Sequence, residues 1–220
     1  MIIAIDGPAG SGKSTTAKKV AAQLNLIHLD TGAMYRAVAL YILNQDFSES
    51  HLKNDSQMIQ VLDEIEIKFS NETNNIFLNG KDVSIEIREN RVSEYVSEVS
   101  AISLVRERMV LLQREIATGN NVVLEGRDIG TRVFPDADVK VFLNADVNER
   151  GLRRFKELVK EGVDISLDEV IRNIESRDLK DSTREHSPLE RAKGAIEIDT
   201  TKLSIDAQVN EIVSLIQTKN

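Results

Sequence analysis

Residues 7 to 14 read Gly-Pro-Ala-Gly-Ser-Gly-Lys-Ser, directly after the apolar run Ile2–Ile5. Backbone amides converge on phosphate oxygens only where no side chain blocks them, which Gly7, Gly10 and Gly12 allow. Such a loop feeds a helix N-terminus, whose free amides and dipole favour an anion. Lys13 supplies a point charge for β and γ phosphates, and the Ser14 hydroxyl suits Mg²⁺. Gly7-x-x-x-x-Gly12-Lys13-Ser14 is the Walker A pattern in its required strand-to-helix setting. A chance Gly-rich turn is the competing reading, and the four fixed positions in that setting disfavour it. The expected ATP-binding residues are Gly7, Pro8, Ala9, Gly10, Ser11, Gly12, Lys13, Ser14 and Thr15.

A phosphate cradle serves kinases, switches, motors and recombinases alike. The guanine-reading tetrapeptide Asn-Lys-x-Asp of switch GTPases does not occur, and the formal charge of −8 argues against a nucleic-acid motor. The arginines point instead to a phosphate acceptor. Moving a phosphoryl group onto another phosphate brings two multiply charged anions together, which calls for several bidentate donors. It needs no general base, since a phosphomonoester with a second pKa near ~6 is already mostly dianionic at neutral pH. Arg36 lies in Asp30-Thr31-Gly32-Ala33-Met34-Tyr35-Arg36, and Arg127 and Asp128 in Glu125-Gly126-Arg127-Asp128-Ile129-Gly130. Each segment follows an apolar run, at the carboxyl end of a strand, where open parallel sheets bind ligands. Arg150, Arg153 and Arg154 share one helix face by spacing. Their bland reading is a solvated face pairing with Glu149 and Glu157.

Elements must bring these groups together. Five near-continuous apolar runs read as strands buried on both faces: Ile2–Ile5, Leu26–Leu29, Val122–Leu124, Val139–Leu143 and Ala195–Ile198. Helical patterns separate most of them, at Ser14–Leu24, Ala33–Leu43, Ile102–Ala117, Asn148–Lys160 and Ile205–Gln217. The alternation predicts a three-layer α/β fold. From Glu64 to Arg88 the pattern changes to period two, with turn residues at Asn71 to Asn75 and the hairpin pair Asn79-Gly80. This reads as a small antiparallel insert. The segment Arg150 to Lys193 is charge-dense and reads as two helices and a loop; Ser166 and Glu169 would cap the second. Its 11 basic residues face 10 acids, so it is no polyanion patch. With 41% hydrophobic residues, no cysteine and no run near the ~20 apolar residues of a membrane span, the chain reads as one cytoplasmic globular domain. Without heptads, a monomer with neither nucleic-acid nor membrane partners is expected.

The sequence resembles the bacterial cytidylate kinases, of the nucleoside monophosphate kinase group, nearly end to end. The likeness rests on residues 5–15, on Leu-Asp-Thr-Gly-Ala-Met-Tyr-Arg at 29–36, and on Glu-Gly-Arg-Asp-Ile-Gly-Thr at 125–131. Val-Phe-Pro-Asp-Ala at 133–137, Arg-Asp-x-x-Asp at 177–181 and Ile-Asp-Thr-Thr at 198–201 extend it. The resemblance implies ATP and CMP giving ADP and CDP, with dCMP as another acceptor and Mg²⁺ required. It implies a P-loop NTPase fold with a five-stranded parallel sheet, core segments 1–60, 100–149 and 190–220, an acceptor-side insert at 61–99 and a helical lid at 150–189. Ser97, Arg106 and Asp128 would read cytosine. Thr31, Arg36, Arg127 and Arg184 would hold the acceptor phosphate, and Arg177 and Asp181 the sugar. Lys13, Arg127, Arg184 and the lid's Arg150 and Arg154 would act on the transferred group. Asp30 or Asp6 would organise the water shell of Mg²⁺.

Two other readings remain open at this level. One is a kinase for another acceptor, such as UMP, dTMP, shikimate or gluconate. An alcohol acceptor would need a carboxylate near the transfer point, for which Asp30 or Asp128 could serve. The other is a nucleotide-binding regulatory module without turnover.

Overall fold

The computed structural model describes residues 1–45, 47, 54–70 and 75–219. These fall into two compact units, one of residues 1–28 and 119–220, the other of residues 29–118.

The first unit is organised on a five-stranded sheet. Its strands are β1 (Ile2–Asp6), β2 (Ile27–Asp30), β6 (Val122–Gly126), β7 (Val139–Asn144) and β8 (Ile196–Asp199), in the order β2-β6-β1-β7-β8. The chain passes into the second unit within β2. All five are the runs expected from sequence, displaced by one or two residues. β1 is central and pairs in parallel with both β6 and β7, so Ile3 faces Val123 on one side and Val139 on the other. Ile3, Ala4 and Ile5 point to alternate faces and all are fully buried, so both faces of β1 are covered and Ile2–Asp6 does not alternate. α1 (Lys13–Leu24) and α8 (Ile205–Lys219) pack together and close a core of Ile3, Ile5, Val20, Leu143, Ile198 and Ile212.

α6 (Val147–Lys160) and α7 (Leu167–Thr183) form the two-helix segment expected between β7 and β8. The Ser166 Oγ accepts the Glu169 amide at 3.3 Å, the cap foreseen from their spacing. Leu158, Val170 and Ile174 give the pair a small core of their own.

The second unit contains α2 (Thr31–Asn44), α3 (Asp55–Glu64), α4 (Asn90–Val99) and α5 (Ser103–Ala117), with a small antiparallel sheet. That sheet is β3 (Ile67–Phe69), β4 (Ile76–Leu78) and β5 (Lys81–Asp82). Leu78 pairs with Lys81 across Asn79 and Gly80, whose φ values of 50 and 80° suit the two-residue hairpin turn. Of the turn expected at Asn71 to Asn75, only Asn75 lies among the described residues.

α3 and α4 go beyond the sequence expectation. α3 is capped by Asn54, which accepts from the Gln57 amide, and buries Met58, Val61 and Leu62 at helical spacing. α4 buries Val92, Val96 and Val99, again on one stripe. Its valines favour strands intrinsically, so packing rather than propensity makes it helical.

Candidate active site

β1 ends at Asp6 and the cradle begins at Gly7. Gly7 has φ 150°, and a Cβ there would lie 2.0 Å from the Leu143 carbonyl oxygen. Gly12, at φ 91°, is the N-cap of α1 and has no side chain to occupy the first-turn amides. Side chains from distant segments hold the loop. Thr200 donates its hydroxyl to the Ser11 carbonyl at 3.0 Å, and Arg150 donates to the Ala9 carbonyl at 3.0 Å. The Arg150 guanidinium also bonds the Ala145 carbonyl and the Asp178 carboxylate, and the residue is only 6% exposed. Arg153 pairs with Glu149 and binds the Thr200 carbonyl, while Arg154 pairs with Glu157. Spacing alone leaves these three arginines equivalent; the fold commits each to a different partner.

Lys13 is buried at the cradle, its Nζ donating to the Pro8 carbonyl at 2.6 Å. Burial holds its pKa well below the usual lysine value, and the Arg127 and Arg177 guanidiniums push the same way. Three cations are therefore close enough to disfavour one another. A multiply charged phosphate placed among them relieves that repulsion.

The arginines converge on Asp181. Arg127 Nε bonds it at 2.9 Å, with Arg177 at 4.0 Å and Arg184 at 3.9 Å. Arg184 also stands 4.0 Å from Asp128. Burial pushes the Asp181 carboxyl up, but the three arginines override it and hold it below the usual carboxylate range. Five residues foreseen as acceptor ligands, Arg127, Asp128, Arg177, Asp181 and Arg184, are thus one cluster within the first unit, its two carboxylates buried and its arginines partly exposed. The turn bearing Asp128 continues as a single π turn, Ile129–Val133, a form that recurs at functional sites. Asp6 pins this turn, accepting the Ile129 and Gly130 amides at 2.8 and 2.7 Å.

The second unit carries the other foreseen ligands. Thr31 is buried at the start of α2, and Arg36 donates to the Ser93 hydroxyl at 2.7 Å. Arg106 lies 5.1 Å over the Tyr35 ring and donates to the Ser100 carbonyl. The Ser100 hydroxyl in turn bonds the Ser97 carbonyl, which links Arg106 to Ser97 through the α4–α5 junction. Asp30 accepts the Ala33 amide as the N-cap of α2. Both carboxylates considered for the Mg²⁺ water shell, Asp6 and Asp30, therefore already hold backbone amides.

The carboxylate nearest the foreseen metal ligand is one the motifs do not single out for this role. Glu125, last but one in β6, accepts the Ser14 hydroxyl at 2.6 Å and faces His28 Nε2 at 3.0 Å. Its signal in the sequence was its place beside Gly126-Arg127-Asp128 at a strand end. Among the described residues no three acidic or histidine side chains cluster as a metal cage. A hydroxyl with one carboxylate behind it fits Mg²⁺, which keeps water and substrate phosphates as most of its ligands.

A parallel sheet with a Walker A loop at the end of its central strand, and an arginine cluster beside that loop, defines a P-loop kinase. The cytidylate kinase family model matches residues 3–218, and the chain belongs to that family. A cytidylate kinase of Cytophaga hutchinsonii is 49% identical over 219 residues, 98% of this chain and 92% of its own length. One from Clostridioides difficile is 49% identical over 216 residues, 98% of both chains. Among solved structures, a shikimate kinase from Bacteroides thetaiotaomicron is similar with a TM-score of 0.51 and 16% identity, over 99% of this chain and 98% of its own. At that identity the likeness concerns the fold alone.

Proposed function

We propose that the chain transfers the γ-phosphoryl group of ATP to CMP, and to dCMP, giving ADP and CDP or dCDP. The observation that carries this is the match to the cytidylate kinase family over residues 3–218, in a chain whose first unit holds both the Walker A loop and the Arg127, Arg177 and Arg184 cluster on Asp181. Family membership supplies the base, and the carboxylate at Asp128 suits the cytosine amino group.

The roles follow from the chemistry. The residues Gly7 to Thr15 hold the ATP phosphates, with Lys13 on the β and γ groups. Mg²⁺, with Ser14 as its protein ligand, would offset charge developing on the β and γ oxygens. Arg127 and Arg184, with Arg36 and Thr31, take the CMP phosphate; Arg177 and Asp181 take the sugar; Ser97, Arg106 and Asp128 read the base. The phosphate dianion attacks without a general base. Residues 150–189 act as the lid and residues 61–99 as the acceptor-side insert. Arg154, half-buried and paired with Glu157, is free to exchange that partner for a donor phosphate. Arg150 would have to give up Asp178 to do the same.

ADP release with a panel of CMP, dCMP, UMP, AMP and shikimate tests the proposal. CMP and dCMP are expected to give the highest kcat/KM. Equal or better turnover of UMP or shikimate would refute it.

A further inference from the structure

We propose that Thr200 and Arg153 are positioning residues that set the direction of the Gly12 amide in the cradle. The proposal rests on the reading of Gly7–Thr15 as the ATP site and adds what aims its last peptide.

The carbonyl and the N–H of one trans peptide point in opposite directions. The Ser11 carbonyl and the Gly12 amide share such a peptide, so whatever holds the carbonyl also aims the N–H. An anchor is needed there, because Gly12 sits at φ 91° and glycine resists rotation of the preceding peptide less than any other residue. Thr200, directly after β8, supplies it. Its side chain is wholly buried, and its hydroxyl lies 3.0 Å from the Ser11 carbonyl and 2.9 Å from that of Asn144. A hydroxyl has a single hydrogen to give. The Asn144 carbonyl already takes the Thr200 amide at 2.7 Å, which leaves the hydroxyl hydrogen to Ser11.

Thr200 is in turn held by Arg153 on α6. One guanidinium nitrogen donates to the Thr200 carbonyl at 2.7 Å and to that of Thr201 at 3.3 Å, and another reaches the Thr200 hydroxyl oxygen at 3.4 Å. Glu149 fixes the far side of the same guanidinium, bonding its Nε at 3.1 Å. Of the three arginines that share a helix face by spacing, Arg153 is thus the one turned onto the support of the loop. The chain Glu149–Arg153–Thr200–Ser11 runs from the surface to the cradle, and all of it lies in the first unit.

The bland account is that Thr200 is a buried hydroxyl satisfied by nearby carbonyls and Arg153 a surface arginine paired with Glu149. On that account the two support stability, and the affinity of the folded protein for ATP does not depend on them. Positioning predicts a loss on the ATP side alone. A direct contact between Thr200 and ATP is not available to a side chain with no exposed surface.

Amide NMR of ¹⁵N-labelled protein, titrated with Mg·ATP and separately with CMP, distinguishes the accounts. Thr200→Val keeps the shape and removes the hydroxyl. It is expected to weaken Mg·ATP by about 10-fold, roughly what a hydrogen bond to a charged group contributes, and to shrink the ATP-induced shift of the Gly12 resonance. CMP affinity should stay within about twofold. Thr200→Ser restores the hydroxyl and should recover both readouts. Arg153→Ala should act in the same direction but less, and the double variant should lose no more than Thr200→Val alone. Arg153 is partly exposed, so Arg153→Ala carries the test should Thr200→Val not fold. Unchanged ATP affinity in both variants, or equal losses for ATP and CMP, would overturn the proposal. Additive losses would remove Arg153 from it. If Mg·ATP does not move the Gly12 resonance of the unaltered protein, the cradle reading itself fails. If it does, and the variants respond alike, only the positioning role fails.

Discussion

A carboxylate accepts from the cytosine amino group but would meet the uracil carbonyl oxygen with like partial charge. Asp128 is therefore expected to act on specificity more than on overall affinity. Asp128→Ala should lower kcat/KM for CMP by the worth of one good base contact, about 1–3 kcal/mol or roughly 5–150-fold. UMP should lose less, and steady-state comparison of the two substrates checks this. Equal losses would remove Asp128 from base reading. Gly7 makes a prediction of a different kind. At φ 150°, with the Leu143 carbonyl oxygen 2.0 Å from any Cβ, no side chain fits without moving β7 or the loop. Gly7→Ala should therefore lose ATP binding and stability together, whereas Lys13→Ala should lose turnover with the fold retained. Denaturant unfolding alongside kinetics distinguishes them.

Elements impose their own consequences. Asp6 sits where β1 becomes the cradle and holds the π turn that carries Asp128. Burial pushes its carboxyl from 3.8 up to about 6, partly offset by the Gly130 and Ile129 amides. A raised folded value means the native state holds the proton more tightly than the unfolded chain. The stability this contributes is fully present below about 3.8 and is lost as pH rises through about 6, a change on the order of 3 kcal/mol. Asp6→Asn should remove that slope. Urea unfolding of both proteins between pH 4 and 7 reads it as a difference that shrinks toward the acid end. Helix caps act on a smaller scale. Ser166→Ala removes the side-chain acceptor of the Glu169 amide and should cost about 1 kcal/mol in the α6–α7 segment, read by local amide exchange.

On the scale of the whole molecule, the net charge of −8 coexists with a site built from arginines. Arg127, Arg177 and Arg184 are gathered on Asp181 and Asp128, three positive charges against two negative, so the cluster is opposite in sign to the whole chain. The ATP cradle belongs to the first compact unit. Mg·ATP at 100 times its Kd should stabilise what it binds by about 2.7 kcal/mol, or 100-fold in amide opening. Hydrogen exchange with Mg·ATP alone is expected to slow most in residues 1–28 and 119–220. Equal slowing in residues 29–118 would mean that the two units open as one.

What was legible in the sequence is what is written in short runs of neighbours. The Walker loop, the five apolar strands, the Asn79-Gly80 turn and the Gly-Arg-Asp element each act through contiguous residues, so spacing and residue type reveal them. α4 escaped because its valines and serines speak weakly for a helix until its stripe meets a core. The tertiary structure alone decided which charge meets which. Ser14 with Glu125, Arg150 with Ala9 and Thr200 with Ser11 join residues 111, 141 and 189 positions apart. No periodicity records such pairs, because they follow from the order in which parallel strands are laid side by side. The strand order β2-β6-β1 brings His28, Glu125 and the cradle to one end of the sheet. The sequence by itself determined the Walker A pattern at Gly7–Ser14; only the folded chain determined what Ser14 bonds.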